Sequence, residues 1–357
     1  MVYTSGTTSK PKGAVWTHLN LAANILTLEK AWEWSETDRI LNVLPLHHVH
    51  GIVNVLSCAL WCGARCEMLP KFDAAKVWEK FETEDLTLFM AVPTIYRNLI
   101  THWNGAADEE RRKMSESCRK FRLMVSGSAA LPVSVLDEWK KISGHTLLER
   151  YGMTEVGMAL SNPLHGVRKP GYVGTPLPDV QVKLVGDDGS DIPPASEGPG
   201  EIYIRGPGVF LEYWKRPDVT KTSFIDGWFK TGDVASRDDD GYYKILGRRS
   251  IDIIKTGGYK VSALEIEEAL RTHPAVKECA VVGVQDDYWG ERVCAAVVPQ
   301  ANKTINPQEL SEWAKTRLAG YKVPRQIQIV TDLPRNAMGK VLKSELTKAF
   351  AGTTNRV

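Results

Sequence analysis

A chain of 357 residues is long enough for two or three domains around a large buried core. With 43% hydrophobic and 25% charged residues and a formal net charge of +2, its composition is that of a globular protein, and it carries no global field for nucleic acid or an anionic membrane. No run approaches about 18 uninterrupted apolar residues, so no membrane span is expected. The six cysteines, Cys58, Cys62, Cys66, Cys118, Cys279 and Cys294, are few for this length and read as reduced thiols, not a disulfide framework.

In chain order, Met1, Val2 and Tyr3 read as the stub of an apolar strand, and Thr4 already opens a small, hydroxylic loop. A binding loop needs packed elements on both sides, so Met1 is expected to be a truncation point. From residue 14 to about 151, short apolar runs alternate with amphipathic stretches. Strands are expected at 39–43, 64–68, 86–91, 123–126 and 146–151, and helices at 19–32, 52–61, 74–82 and 132–141. This alternation predicts an α/β fold with a doubly wound, mostly parallel sheet, whose ligands gather at the carboxyl ends of the strands. Between about 171 and 247, β-like runs at 180–185, 201–205 and 242–246 are separated by Gly-, Pro- and Asp-rich turns, which predicts a small β subdomain. The first domain is therefore expected over 1–247. The charged segment 248–252 suits a hinge. A separate α+β domain follows over 253–357, with a capping box at Ser262 and Glu265, strands at 276–284 and 292–298, and a helix at 308–318.

The strongest chemical signal is Thr4-Ser5-Gly6-Thr7-Thr8-Ser9-Lys10-Pro11-Lys12-Gly13. Small and hydroxylic residues let amides and hydroxyls converge on phosphate oxygens, and Lys10 and Lys12 add charge. A Walker A loop is excluded by Pro11. Tyr151-Gly152-Met153-Thr154-Glu155 follows an expected strand, where a carboxylate can hold Mg2+ against a triphosphate. Asp233, after a turn at Thr231 and Gly232, can bond ribose hydroxyls, and Arg248 is a candidate partner for ribose or phosphate. Asn336-Ala337-Met338-Gly339-Lys340 sets a lysine on a glycine turn near the C-terminus. Taken singly, each of these shorter strings is also readable as a turn or a solvated side chain.

Together, in this order and approximate spacing, they resemble the adenylate-forming superfamily. That group includes acyl-CoA synthetases, firefly luciferase, plant coumarate–CoA ligases and peptide-synthetase adenylation domains. The resemblance spans essentially the whole chain and implies an acid–thiol ligase. Such an enzyme joins a carboxylate, ATP and coenzyme A to give an acyl-CoA, AMP and pyrophosphate through an acyl-adenylate. It implies that residues 4–12 wrap the β- and γ-phosphates, that Tyr151, Gly152, Thr154 and Glu155 contact nucleotide and Mg2+, and that Asp233 and Arg248 hold the ribose. Lys340 would stabilise charge at the α-phosphate. The second domain would then swing about a hinge acid, placed at Asp252, so that Gly257, Gly258, Tyr259 and Lys260 line the pantetheine path.

Within the superfamily the sequence resembles the malonyl-CoA synthetase branch, through Leu44-Pro45-Leu46-His47-His48-Val49-His50-Gly51, Val92-Pro93-Thr94-Ile95-Tyr96, Ser126-Gly127-Ser128 and Leu147-Leu148-Glu149-Arg150. That branch implies His48 bordering the acyl pocket, with Arg150 on the distal carboxylate and Ser128 assisting. An arginine–carboxylate pair in a dry pocket selects a diacid over a fatty acid. Two positions depart from the pattern. Asn98 stands where relatives have a second base, with Arg97 one helical step, about 100°, away, and Ser9 replaces a glycine in the phosphate loop. The expected substrates are therefore malonate or methylmalonate, ATP and CoA. The alternatives are a ligase for another small or medium-chain acid, a module loading a carrier protein, or a truncated, inactive remnant that binds a partner. By resemblance the compartment is mitochondrial or cytoplasmic.

Overall fold

The computed structural model describes residues 1–4, 11–194, 196, 198–335 and 340–352. They form two compact units. The first comprises Met1–Gly198, Ile202–Thr231 and Arg237–Lys244, and the second comprises Pro199–Glu201, Gly232–Ser236 and Ile245–Val357.

The first unit is built on a seven-stranded sheet. Strands Arg65–Met68, Arg39–Asn42, Leu88–Ala91, Leu123–Ser126 and Leu148–Met153 lie side by side and parallel. Gly157–Ser161 and Thr175–Pro176 then add antiparallel. All four residues of Leu88–Ala91 and of Leu123–Ser126 are buried, as a parallel strand covered on both faces requires. Their side chains join those of helices His18–Trp32, Ala74–Thr83, Pro93–Gly105 and Val133–Ser143 in one core, where Trp78 stacks on Trp139 and Tyr96 meets Trp139 edge-on. Helix His18–Trp32 starts where Thr17 accepts from the Asn20 amide while Asn20 accepts from that of Thr17.

The helix expected at 52–61 begins earlier, at His50, as a wide π-type turn over His50–Ser57, and continues as a short α-helix, Cys58–Cys62. Such turns recur at functional sites because they shift the side-chain register. Helices Pro93–Gly105 and Asp108–Ser117 and strand Gly157–Ser161 were not anticipated. The acid- and base-rich Asp108–Ser117 buries only Met114, so it offers almost no apolar period to read.

A three-stranded sheet joins Val2–Tyr3, Gly13–Val15 and Glu212–Tyr213, all antiparallel, bringing Thr4 and Lys12 together beside residue 213. A six-stranded sheet runs Asp191–Ile192, Gln181–Val185, Gly200–Arg205, Trp228–Arg237 and Phe224–Ile225, with Tyr243–Arg248 also beside Trp228–Arg237.

In the second unit, Tyr259–Ser262, Ile253–Thr256, Gly290–Pro299 and Val276–Asp286 form a sheet, with Gln326–Ile329 parallel to Gly290–Pro299. Side chains alternate along Val276–Asp286. Cys279 and Val281 join one core with Ile266, Leu270 and Leu310, while Ala280, Val282 and Val284 join another with Leu346 and Phe350. Ser262 caps helix Ala263–Arg271 by accepting from the Glu265 amide; the Glu265 carboxylate pairs instead with Lys322. Among the described residues no helix is long and apolar enough to cross a membrane.

Candidate functional site

Around the entry loop, the structure describes the two ends and not residues 5–10, so Ser5, Gly6, Thr7, Thr8, Ser9 and Lys10 lie outside the described residues. The loop is closed at its base: the Thr4 amide donates to the Lys12 carbonyl at 2.9 Å, and the Lys12 amide donates to Thr4 Oγ1 at 3.0 Å. Lys12 Nζ lies 4.3 Å from the centre of the Tyr213 ring. The Tyr213 hydroxyl donates to Glu155 Oε1 at 2.6 Å, and both residues are buried. A direct chain thus connects the loop base to the only acid of the Tyr151–Glu155 motif. Next to it, the Thr154 carbonyl accepts from Trp16 Nε1 at 2.9 Å, and the Glu155 carbonyl accepts from the Phe210 amide at 2.8 Å. Tyr151 and Gly152 lie opposite Leu160 and Met158 of the antiparallel neighbour.

A second cluster forms at the carboxyl ends of the parallel strands. Arg150 leaves strand Leu148–Met153 and lays its guanidinium on Gly127, at the end of Leu123–Ser126. A Cβ at residue 127 would sit 2.3 Å from Arg150 Cζ, so any larger residue there would displace the guanidinium. The neighbouring Ser128 has a left-handed backbone, φ 68°, a strained state for a serine and one that clusters at ligand sites. Its hydroxyl lies 3.1 Å from His50 Nδ1. Arg150 is 3% exposed, and its Nε and Nη2 have no hydrogen-bond partner among the described residues. Burial pushes its pKa down to about 9, which still leaves it charged at neutral pH. An arginine with buried, unmet donors is suited to receive an anionic oxygen pair.

His48 is the histidine expected to border the acyl pocket; the structure puts His50 against Ser128, with His48 near enough to act on the His50 charge. His48 is half-buried, with its ring 4.4 Å from that of His47. The detectable signal was the buried register: His50 opens the π-type turn, with its side chain in the core. Burial, with the charge of Arg150 and then His48, holds the His50 imidazole well below the usual histidine range. The unfolded chain therefore takes up a proton near pH 6.5 that the folded chain refuses. Stability should fall as pH drops below about 6.5, by up to about 1.4 kcal/mol per pH unit from this group. Denaturant unfolding at pH 7.5 and 5.5 checks this: the parent should lose more stability on acidification than His50→Gln, and equal losses would contradict a neutral His50.

In the second unit, Arg248 Nε meets Asp233 Oδ1 at 2.9 Å. The Arg249 amide donates to the Gly232 carbonyl, and Arg249 Nη1 pairs with Glu201 at 2.8 Å, fixing the turn that presents the pair. Lys340 lies half-buried within the electrostatic reach of both Arg248 and Asp233. Burial, then Arg248, lowers its pKa, while Asp233 opposes the shift. Asn336, Ala337, Met338 and Gly339 lie outside the described residues; on either side of them the Leu342 amide donates to the Pro334 carbonyl at 2.8 Å. Gly257 and Gly258 make the two-residue turn between Ile253–Thr256 and Tyr259–Ser262, at φ 56° and 82°, as a hairpin turn of this twist demands. Lys260 stands opposite Lys255, and Gly257 donates its amide to the Trp289 carbonyl. Asp252 is held on both sides, its Oδ2 by the Arg248 amide at 3.0 Å and its Oδ1 by Lys343 Nζ at 2.6 Å.

The first unit thus carries a loop base tied to a buried acid and a buried strand-end arginine, and the second a lysine beside an Arg–Asp pair. The chain belongs to the AMP-binding enzyme family: residues 1–214 match its model, and 265–340 match that of the AMP-binding enzyme C-terminal domain. It is 51% identical over 370 residues to the mitochondrial malonate–CoA ligase of Mus musculus, covering 97% of this chain and 63% of that protein. It is 46% identical to the malonate–CoA ligase of Arabidopsis thaliana, covering 98% of this chain and 60% of that one. Among solved structures, ATP-bound MatB from Rhodopseudomonas palustris superposes with a TM-score of 0.90 at 38% identity, over 98% of this chain and 68% of that one. The chain thus spans less than two thirds of the length of these two ligases.

Proposed function

We propose that the protein is an ATP-dependent malonate–CoA ligase, forming malonyl-CoA, AMP and pyrophosphate through a malonyl-adenylate. The observation that carries this reading is the buried Arg150 guanidinium with two unmet nitrogens, beside Ser128 and His50. A fatty acid would present hydrocarbon to these donors and leave them unpaired. A second carboxylate satisfies them and adds charge-assisted bonds. In this reading His50, kept neutral, orients Ser128 without competing for the anion.

The nearer carboxylate is the nucleophile toward the α-phosphate. Lys340 offsets the charge that grows there, and its lowered pKa reflects a partly dehydrated ammonium whose field is weakly screened. Asp233 and Arg248 hold the ribose. Residues 4–12 and Thr154 receive the phosphates. Mg2+ fits at Glu155, a buried carboxylate oriented by Tyr213, because this ion is held by one or two carboxylates together with phosphate oxygens. When bound it neutralises triphosphate charge. Gly257, Gly258 and Lys260 border the pantetheine path in the thioester step, and the turn at 248–252 belongs to the hinge. The mitochondrial label in the name of the mouse relative supports a mitochondrial compartment.

Pyrophosphate release measured with malonate, methylmalonate, acetate and octanoate tests the substrate. Malonate or methylmalonate should give the highest kcat/KM, and a preference for octanoate or acetate would overturn the diacid reading.

A further inference from the structure

The second unit holds an ion cluster around Lys343 that the reaction does not itself use. Lys343 Nζ, with a side chain only 12% exposed, pairs with Asp252 Oδ1 at 2.6 Å and Glu267 Oε1 at 2.7 Å. Both acids are themselves anchored. Asp252 Oδ2 accepts from the Arg248 amide at 3.0 Å, and the Asp252 amide donates back to the Arg248 carbonyl at 2.8 Å. Glu267 receives the Val281 amide at 2.9 Å and Arg271 at 3.0 Å. A buried cation between two carboxylates is no efficient stabiliser, since desolvation offsets most of the attraction. Its distinctive property is geometric: it accepts only one arrangement of the three segments that supply it.

Those segments matter. One is the turn whose Arg248 engages Asp233. Another starts helix Lys343–Ala351, three residues beyond Lys340. The third, helix Ala263–Arg271, is packed into the sheet core of the unit. We infer that Lys343, Asp252 and Glu267 form a positioning clamp that fixes the Lys340 segment relative to the Arg248 turn, so that both cations address one anionic ligand. This inference rests on the adenylation role proposed for Lys340.

The test separates the two half-reactions in the intact protein: acid-dependent ATP–pyrophosphate exchange, and thioester formation from preformed acyl-adenylate and CoA. Lys343→Met alone leaves buried acids uncompensated and threatens folding. The double variant Asp252→Asn with Lys343→Met removes an opposite pair, keeps an acceptor for the Arg248 amide and leaves Glu267 with Arg271. Exchange should fall about a hundredfold, the usual effect of an ångström-scale misplacement of a catalytic group, with the thioester step close to the parent rate. Asp252→Asn alone should fall in between. Exchange near the parent rate, or an equal fall in both half-reactions of the folded variant, would overturn the clamp. Failure of the underlying reading looks different: Lys340→Ala would then leave exchange intact.

Discussion

Replacing Arg150 with methionine should reduce kcat/KM for malonate by of order a thousandfold, about 4 kcal/mol, the range found when one partner of a buried charge pair is deleted. Folding stability should stay level or rise. Among the described residues the buried guanidinium leaves Nε and Nη2 unmet, so it is a net cost that binding relieves, and methionine fills similar volume without that cost. Opposite signs on activity and stability are the diagnostic. Steady-state kinetics with malonate and with acetate, beside thermal melts, check it. Equal losses with both acids would mean that Arg150 supports the fold or the nucleotide instead of the distal carboxylate. A large fall in melting temperature would mean that it is structurally paired.

Replacing Lys340 with methionine should slow acyl-adenylate formation by of order 10²–10³-fold, the value of one preorganised charge facing a developing anion. Thioester formation from preformed adenylate should decline far less. Burial and Arg248 already lower the lysine's pKa, and Asp233 keeps it from falling further, so the ammonium is held ready and poorly hydrated. Single-turnover pyrophosphate release and adenylate-to-thioester conversion distinguish the steps. An equal effect on both would assign Lys340 to general positioning.

Much of this was legible in the linear chain because the relevant physics is local. The strand Leu123–Ser126 lies where four consecutive apolar or small residues put it, and helices His18–Trp32 and Ala74–Thr83 follow from amphipathic spacing bounded by Thr17 and Asp73 caps. Arg150 and Ser128 stood out from their motifs, and the structure puts them at neighbouring strand ends. Pro93–Gly105 was overlooked as an element because its opening was read as a motif, and the short hydrogen-bonded edges, such as Thr175–Pro176, carry too few residues for any period.

Sequence by itself determined the parallel α/β core and singled out the Thr4–Gly13 segment with Glu155, Asp233, Arg248 and Lys340 as candidates, since backbone propensity and motif chemistry act over a few neighbouring residues. Only tertiary structure decided that His50 meets Ser128, that Tyr213 orients Glu155 from 58 residues away, and that Lys343 ties Asp252 to Glu267. Each of these depends on side-chain direction and burial after distant segments have packed.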